Sequence, residues 1–246
     1  GIRVPAQRQA TKADDAVAML EEHGSVVVKP ARGEQGAGVS VGIETREALE
    51  RAVERARLIC PDVIVEECVD GEDLRIIVIG DEVVAAAVRR PPSIVGTGRH
   101  TVEQLIRKYS RRREAATGGE SSIPIDDETH RCVRAAGYDM DTVLDSGASL
   151  TVRKTANVHT GGTIHDVTAE LHPRLAQVAV AAATALDIPV VGFDFIVDAV
   201  DQSGYVVIEA NERPGLANHE PQPTAERFID LLFPQTRYAD KNSELP

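Results

Sequence analysis

Apolar positions recur along this chain with two distinct periods. Val26, Val27 and Val28 form an unbroken run ahead of Lys29, and Val39, Val41 and Ile43 alternate with Ser40 and Gly42. Both patterns are those of strands. Between Asp14 and His23 the spacing predicts a short helix closed by Gly24. Beyond Thr45, a potential N-cap, Leu49, Val53, Ala56 and Ile59 fall on one helical face, and Pro61 supplies a stop. Residues 1–15 read as an opening strand and linker.

The pattern then returns to strands at Val63–Val65, and at Leu74–Gly80 and Val83–Val88, which the Gly80-Asp81 pair would join as a hairpin. A short helix is predicted from Val102 to Tyr109. The run Arg111-Arg112-Arg113 reads as a solvated loop, because blocks of like charge favour exposure. Helices follow at Asp127–Gly137 and His172–Leu186, the second with Leu175, Ala179, Ala182 and Leu186 on one face. Strands at Val190–Val197 and Tyr205–Asn211 flank a turn at Asp201–Gly204. A helix at Thr224–Phe233 precedes a ten-residue tail.

Composition narrows the classes. The chain has 246 residues, 42% hydrophobic but only 3% aromatic, with no Trp. Its core is therefore built from Val, Ile, Leu and Ala. A net charge of -12 argues against a nucleic-acid or anionic-membrane partner, either of which needs a basic field. Cys60, Cys68 and Cys132 form no zinc or disulfide pattern, and a reducing, cytoplasmic setting is expected. No apolar run reaches membrane-spanning length, and no signal peptide is visible in these residues. The abrupt opening GIRVPAQ, without Met, suggests a piece of a longer protein.

Four motifs carry candidate chemistry. In VVVKPARGEQGAGVSVG, Gly33, Gly36 and Gly38 let backbone N–H groups approach a ligand closely. No Lys-Ser or Lys-Thr follows, so this is not a Walker A loop. The chain continues as a strand, which also argues against a dinucleotide fingerprint. Strand, glycine loop and strand form a flap over a triphosphate, as in kinases, with Lys29 as a point charge on phosphate. The plainer reading is a glycine-rich hairpin with an exposed Lys.

In VIVEECVDGEDLR, a strand ends in Glu66 and Glu67 and crosses to Asp70-Gly71. There the Glu67 carbonyl and the Val69 N–H could read a purine edge, and Asp73 or Glu72 could hold ribose hydroxyls. An acidic solvated turn is the plainer reading. On the late strand pair, Glu209 and Asn211 share a face by strand alternation, and Asp194 lies on the preceding strand. Three oxygen donors on a Val/Ile-rich sheet favour Mg²⁺, or Mn²⁺ in its place; the plainer reading is a polar sheet edge with a salt bridge. In TVRKTANVHTGGTIHDVT, Arg153, Lys154 and Asn157 stand before Gly161-Gly162, a set suited to a transferring phosphoryl group. His165 reads as structural. Arg213, in NERPGLANHEP, could bind an anion.

The order of these motifs resembles the ATP-grasp superfamily over nearly the whole chain. TANVHTGGTIHDVT and RRPP...VGTGRHTVEQLI are similar to the ATP-grasp part of cyanophycin synthetases. Together with VVVKPARGEQGAG and IEANERPGLANHEPQPTAERFIDLLFP, they make the chain most similar to N-acetylglutaminylglutamine synthetases. The resemblance implies an α+β ATP-grasp fold, two α/β lobes with mostly antiparallel sheets clasping ATP between them. It divides the chain into a linker and small lobe with a glycine-rich lid at 1–69, a large lobe with the metal site at 70–236, and a tail at 237–246. It places Lys29 on phosphates, Glu67 to Val69 on adenine, Asp73 on ribose, and Asp194, Glu209 and Asn211 on Mg²⁺.

The implied activity is an ADP-forming carboxylate–amine ligase working through an acyl phosphate to make an osmoprotectant precursor. The expected cofactors are ATP and Mg²⁺. The expected partners are a small-molecule acid and an amine such as an amino acid, with a homodimer as one assembly. Such enzymes carry a further lysine and a substrate lobe before the point where this chain starts. Glu212-Arg213, where cyanophycin synthetases have small residues, points to a different acceptor acid. A small-molecule kinase, or a nucleotide-binding module inactive by itself, are the alternatives.

Overall fold

The structure is a computed structural model that describes residues 1–10, 13–33, 36–219 and 221–236. Glu34 and Gln35 at the middle of the glycine loop, and the tail, lie outside the described residues. In chain order the elements are β1 (Gln7–Gln9), α1 (Ala13–His23), β2 (Val26–Pro30), β3 (Ser40–Ile43), α2 (Arg46–Arg57), β4 (Val63–Glu67), β5 (Glu72–Ile79) and β6 (Glu82–Arg90). Then come β7 (Ser93–Val95), α3 (Val102–Ala116), α4 (Asp127–Ala135), β8 (Ser149–Thr151), β9 (Thr163–Asp166), α5 (Pro173–Leu186), β10 (Val190–Val197), β11 (Tyr205–Asn211) and α6 (Thr224–Leu232). They form two compact units. One comprises residues 5–69 and 89–163; the other comprises 1–4, 70–88 and the chain from 164 on.

The first unit contains a sheet ordered β1-β4-β2-β3, with antiparallel pairing throughout. Alternation sorts its side chains. Val26, Val28, Val63 and Val65 are fully buried in one core with Leu49, Ala52 and Ala56 of α2, while Lys29 and Glu66 fall on the opposite face. Thr45 caps α2 by accepting from the Ala48 N–H. The helix ends at Arg57, ahead of Pro61, so Ile59 leaves the expected stripe and is 50% exposed. A second core in this unit joins Ile94 of β7 and Leu150 of β8 to Val102, Leu105 and Ile106 of α3 and Val133 of α4.

Helix α3 corrects the sequence reading. It runs through Arg111, Arg112 and Arg113 to Ala116 rather than ending near Tyr109. A capping box between Thr101 and Gln104 starts it, and the arginines, good helix formers, continue it. Arg113 is held by hydrogen bonds to Ser121 and to the Gly162 carbonyl, contacts that a free loop would not make.

The second unit contains a five-stranded sheet ordered β11-β10-β5-β6-β9. Leu74, Ile76, Val78, Phe193 and Phe195 face α5, where Leu175, Ala179 and Ala182 complete the core. Leu186, expected on that face, is instead 51% exposed at the helix end. Ile77 and Ile79 point the other way and pack with Phe228 and Leu231 of α6. The sheet is thus covered on both faces over part of its length. Asp73, Arg75 and Asp194 occupy the face opposite α5, because they alternate with the α5-facing residues. Among the described residues no helix is long and apolar enough to cross a membrane.

Candidate active site

In the first unit, Lys29 Nζ lies 2.7 Å from Glu66 Oε1, and the Glu66 side chain is only 4% exposed. Lys29 is therefore not the free lysine of a plain hairpin: its amine compensates a buried carboxylate, as a charge in that position must be compensated. Glu67 ends β4 with its N–H donated to the Ala6 carbonyl. The next N–H but one, that of Val69, donates to no backbone group among the described residues.

The glycine loop and the Arg153–Gly162 motif, far apart in sequence, meet in this unit. Gly36, Gly38 and Gly42 all have φ near +70° (75°, 74° and 67°), a conformation that costs other residues strain. At Gly42 a side chain would in addition collide with the Lys154 amine. Asn157 Nδ2 would lie 3.8 Å from a Cβ at Gly36. A Cβ at Gly33 would lie 3.1 Å from Pro30 Cγ. Lys154 is exposed, so its charge is available to a ligand, whereas Asn157 also organises its own loop: its Oδ1 accepts from the His159 N–H at 2.8 Å.

Arg153 is placed differently from the expectation that it faces a phosphoryl group. Its side chain is 6% exposed, with Nη1 2.6 Å from Asp126 Oδ1 and 2.8 Å from Thr129 Oγ1. It pins the chain after β8 to the start of α4. Burial opposes ionisation of Asp126, but the Thr129 N–H and the Arg153 guanidinium outweigh it and hold that carboxyl below its ordinary value. The Gly161-Gly162 turn is clamped from α3: Tyr109 Oη donates to the Gly161 carbonyl at 2.9 Å, and Arg113 Nη2 donates to the Gly162 carbonyl at 3.0 Å. A side chain at Gly161, φ +94°, would strike Ile123. Tyr109 and Arg113 were missed as site-shaping residues; a hydroxyl and a guanidinium one helical turn apart carry no signal until α3 is known to be continuous.

In the second unit, Asp194 is the register partner of Glu209 on β11, and Gly192 that of Asn211. All three oxygen donors therefore share one sheet face. A bulge between Asp194 and Phe195 sits beside them, a common way to aim side chains at a site. Asp194 is 8% exposed, whereas Glu209 is exposed and Asn211 half-buried. On the other side of β10 Asp194 is in register with Arg75, whose Nε approaches Oδ1 to 2.5 Å. Arg75, not singled out from sequence, supplies the positive charge that the buried carboxylate requires. Gly192 leaves room for its guanidinium, as a Cβ there would lie 2.8 Å from Arg75 Nη1.

The donor set Asp194, Glu209 and Asn211 is all oxygen, with one carboxylate shielded from water. That fits a hard divalent cation such as Mg²⁺. Among the described residues no three His, Cys, Asp or Glu side chains form a metal-binding group; this set has two carboxylates and an amide. Asp73 is half-buried on β5, with Ile196 as its register partner. Arg213 is exposed, its side chain 91% accessible and 3.8 Å from the Glu212 carboxylate.

A glycine loop folded on a Lys-and-Asn turn in one unit, and acidic oxygens on a β-hairpin face in the other, are features of a nucleotide-dependent ligase of the ATP-grasp class. The chain belongs to the RimK-like ATP-grasp domain family, whose profile matches residues 1–93 and 147–229. It is 30% identical over 249 residues to cyanophycin synthetase of Nostoc sp. (strain PCC 7120 / SAG 25.82 / UTEX 2576), covering 95% of this chain and 28% of that protein. The crystal structure of a bifunctional glutathione synthetase from Pasteurella multocida superposes with a TM-score of 0.57 at 28% identity, covering 96% of this chain and 35% of that one. The ATP-grasp ligase PsnB, solved with a precursor variant, Mg and ADP, shares the fold at a TM-score of 0.53 and 16% identity, covering 94% of this chain and 55% of its own. The chain thus spans about a third or less of the first two relatives.

Proposed function

We propose that the chain is the nucleotide-binding core of an ADP-forming carboxylate–amine ligase, and that its product is N-acetylglutaminylglutamine. The observation that carries the ligase reading is the shared face of Asp194, Glu209 and Asn211, with Asp194 buried. In this reading Asp194, Glu209 and Asn211 hold Mg²⁺, or Mn²⁺, which when bound neutralises charge on the β- and γ-phosphates. Lys29 and the backbone around Gly33, Gly36 and Gly38 bind phosphate oxygens. The Glu67 carbonyl and Val69 N–H take the adenine edge, Glu66 holds Lys29 in place, and Asp73 takes the ribose.

The acid's carboxylate oxygen attacks the γ-phosphorus, the bond to the ADP oxygen breaks, and an acyl phosphate forms. The amine nitrogen then attacks the acyl carbon and phosphate leaves. The balance is acid, amine and ATP to amide, ADP, phosphate and a proton. Lys154 and Asn157 orient the transferring group. Arg153 acts through Asp126 and Thr129 by holding their turn. Positioning and charge neutralisation supply the acceleration, with no nucleophilic side chain required.

The product assignment rests on the likeness of the glycine-loop and C-terminal motifs to N-acetylglutaminylglutamine synthetases, and the solved Mg–ADP complex of PsnB supports the choice of cofactors. The test is ADP release by the full-length protein across amino acids and N-acetylated amino acids. Release that requires both an N-acylated acid and an amine supports the reading. A stable phosphorylated product formed without amine would make the protein a kinase.

A further inference from the structure

Helices α2 and α4 carry two arginine pairs at helical spacing, Arg51 with Arg55 and Arg131 with Arg134, and all four line a cleft of about 680 Å³ in the first unit. None is among the nucleotide, metal or phosphoryl residues above. The family profile breaks off at residue 93 and resumes at 147, so α4 lies in the interval it does not describe.

The floor of the cleft is tied by hydrogen bonds and ion pairs. Arg131 forks onto the buried Glu128 carboxylate at 2.6 and 2.8 Å and donates to the Val41 carbonyl at 2.9 Å. Arg55 donates to Ser40 Oγ at 2.8 Å and lies 3.6 Å from the same Glu128. One carboxylate thus serves two guanidiniums. The walls differ. Arg51 and Arg134 are exposed, and their side chains make no hydrogen bond or ion pair among the described residues.

Like charges three or four residues apart on a helix repel and cost stability, and here the arrangement occurs twice, facing one cleft, in a chain whose net charge is -12. Among the described residues, Glu44 and Asp127 are the only carboxylates that line the cleft. Guanidinium forks match the oxygens of carboxylates and phosphates, and the volume is that of a small-molecule site. We propose that this cleft binds a small polyanion, a molecule with two or more phosphate or carboxylate groups. Arg51 and Arg134 would grip it, and Arg55 and Arg131 would form a fixed cationic floor. This site does not depend on the ligase reading.

The test is calorimetric titration of the chain, without divalent metal, using tripolyphosphate in one arm and propane-1,2,3-tricarboxylate in the other. Binding of either probe is expected. The arm that binds tells whether phosphate or carboxylate chemistry is recognised. Its Kd should rise about tenfold or more in the Arg51→Ala, Arg134→Ala double variant, since charged hydrogen bonds are lost. The Arg111→Ala, Arg112→Ala double variant removes the same charge from exposed positions on α3 and should bind as the parent does. Arg134→Ala alone should give a smaller loss. The proposal falls if neither probe binds, or if the two double variants lose affinity equally.

Discussion

Arg75 and Asp194 face each other from adjacent strands of the second unit, register partners with Nε and Oδ1 2.5 Å apart. Their side chains are 16% and 12% exposed, so neither charge is well solvated by itself. Removing one member of such a pair leaves the other buried and uncompensated. Arg75→Ala is expected to cost about 3 kcal/mol of stability, measured by urea unfolding. If Asp194 also holds Mg²⁺, the cation replaces the lost charge. Magnesium a hundredfold above its Kd should then return about 2–3 kcal/mol, and more than it gives the wild type. A variant insensitive to Mg²⁺ and Mn²⁺ would leave Asp194 without a part in holding the metal.

Glu209 separates catalysis from stability. It is exposed at the end of β11, opposite Asp194, and an exposed carboxylate contributes little to folding. Glu209→Ala should therefore melt close to the wild type, while ADP release by the full-length protein should fall on the order of 10² or more, as for loss of a preorganised electrostatic group. Normal ADP release in this variant would sink the proposed metal set.

The strand pair that carries Asp194 and Glu209 was legible because period-two alternation alone puts Glu209 and Asn211 on one face. The fold family was legible from motif order. Arg75 was not, because its role depends on register: only the pairing of β5 with β10 sets it beside Asp194. Arg153 misled for a related reason. A cation next to Lys154 and Asn157 looks like a phosphate ligand, yet once β8 has ended the alternation breaks, Val152 and Arg153 are both buried, and the guanidinium bonds to Asp126 and Thr129. The Arg111–Arg113 run was misread because charge was weighed above helix propensity and above the capping box that starts α3.

That last helix makes its own prediction. Arg113 and Tyr109 hold the carbonyls of Gly162 and Gly161, and Ser121 Oγ holds that of Val158. Arg113→Ala removes a charged donor, worth about 1.5–3 kcal/mol where fully made. Amide hydrogen exchange should accelerate at Gly161 and Gly162, whose N–H groups bond to Val158 and Asn157, while the α5-packed strands keep their protection. Unchanged exchange at these two amides would show that the clamp does not order the turn.

Asp126 yields a pH dependence of definite sign. Its folded-state carboxyl is held below the ordinary value, against burial, by the Thr129 N–H and by Arg153. The unfolded chain therefore binds this proton more readily. The stabilisation is fully present above the unfolded value of about 3.9, and it is lost as pH falls through the lower folded value. Asn caps a helix as well as Asp, so Asp126→Asn retains the cap of α4. It removes the carboxylate charge facing Arg153, which lowers stability at every pH where Asp126 is ionised, and with it the titration, which sets the slope. Between about pH 4 and pH 2 the wild type should lose stability more steeply than Asp126→Asn, in urea unfolding at constant ionic strength. Parallel curves over that window would show that Arg153 and Thr129 grip a neutral partner equally well, and the depressed carboxyl would then have no part in holding α4.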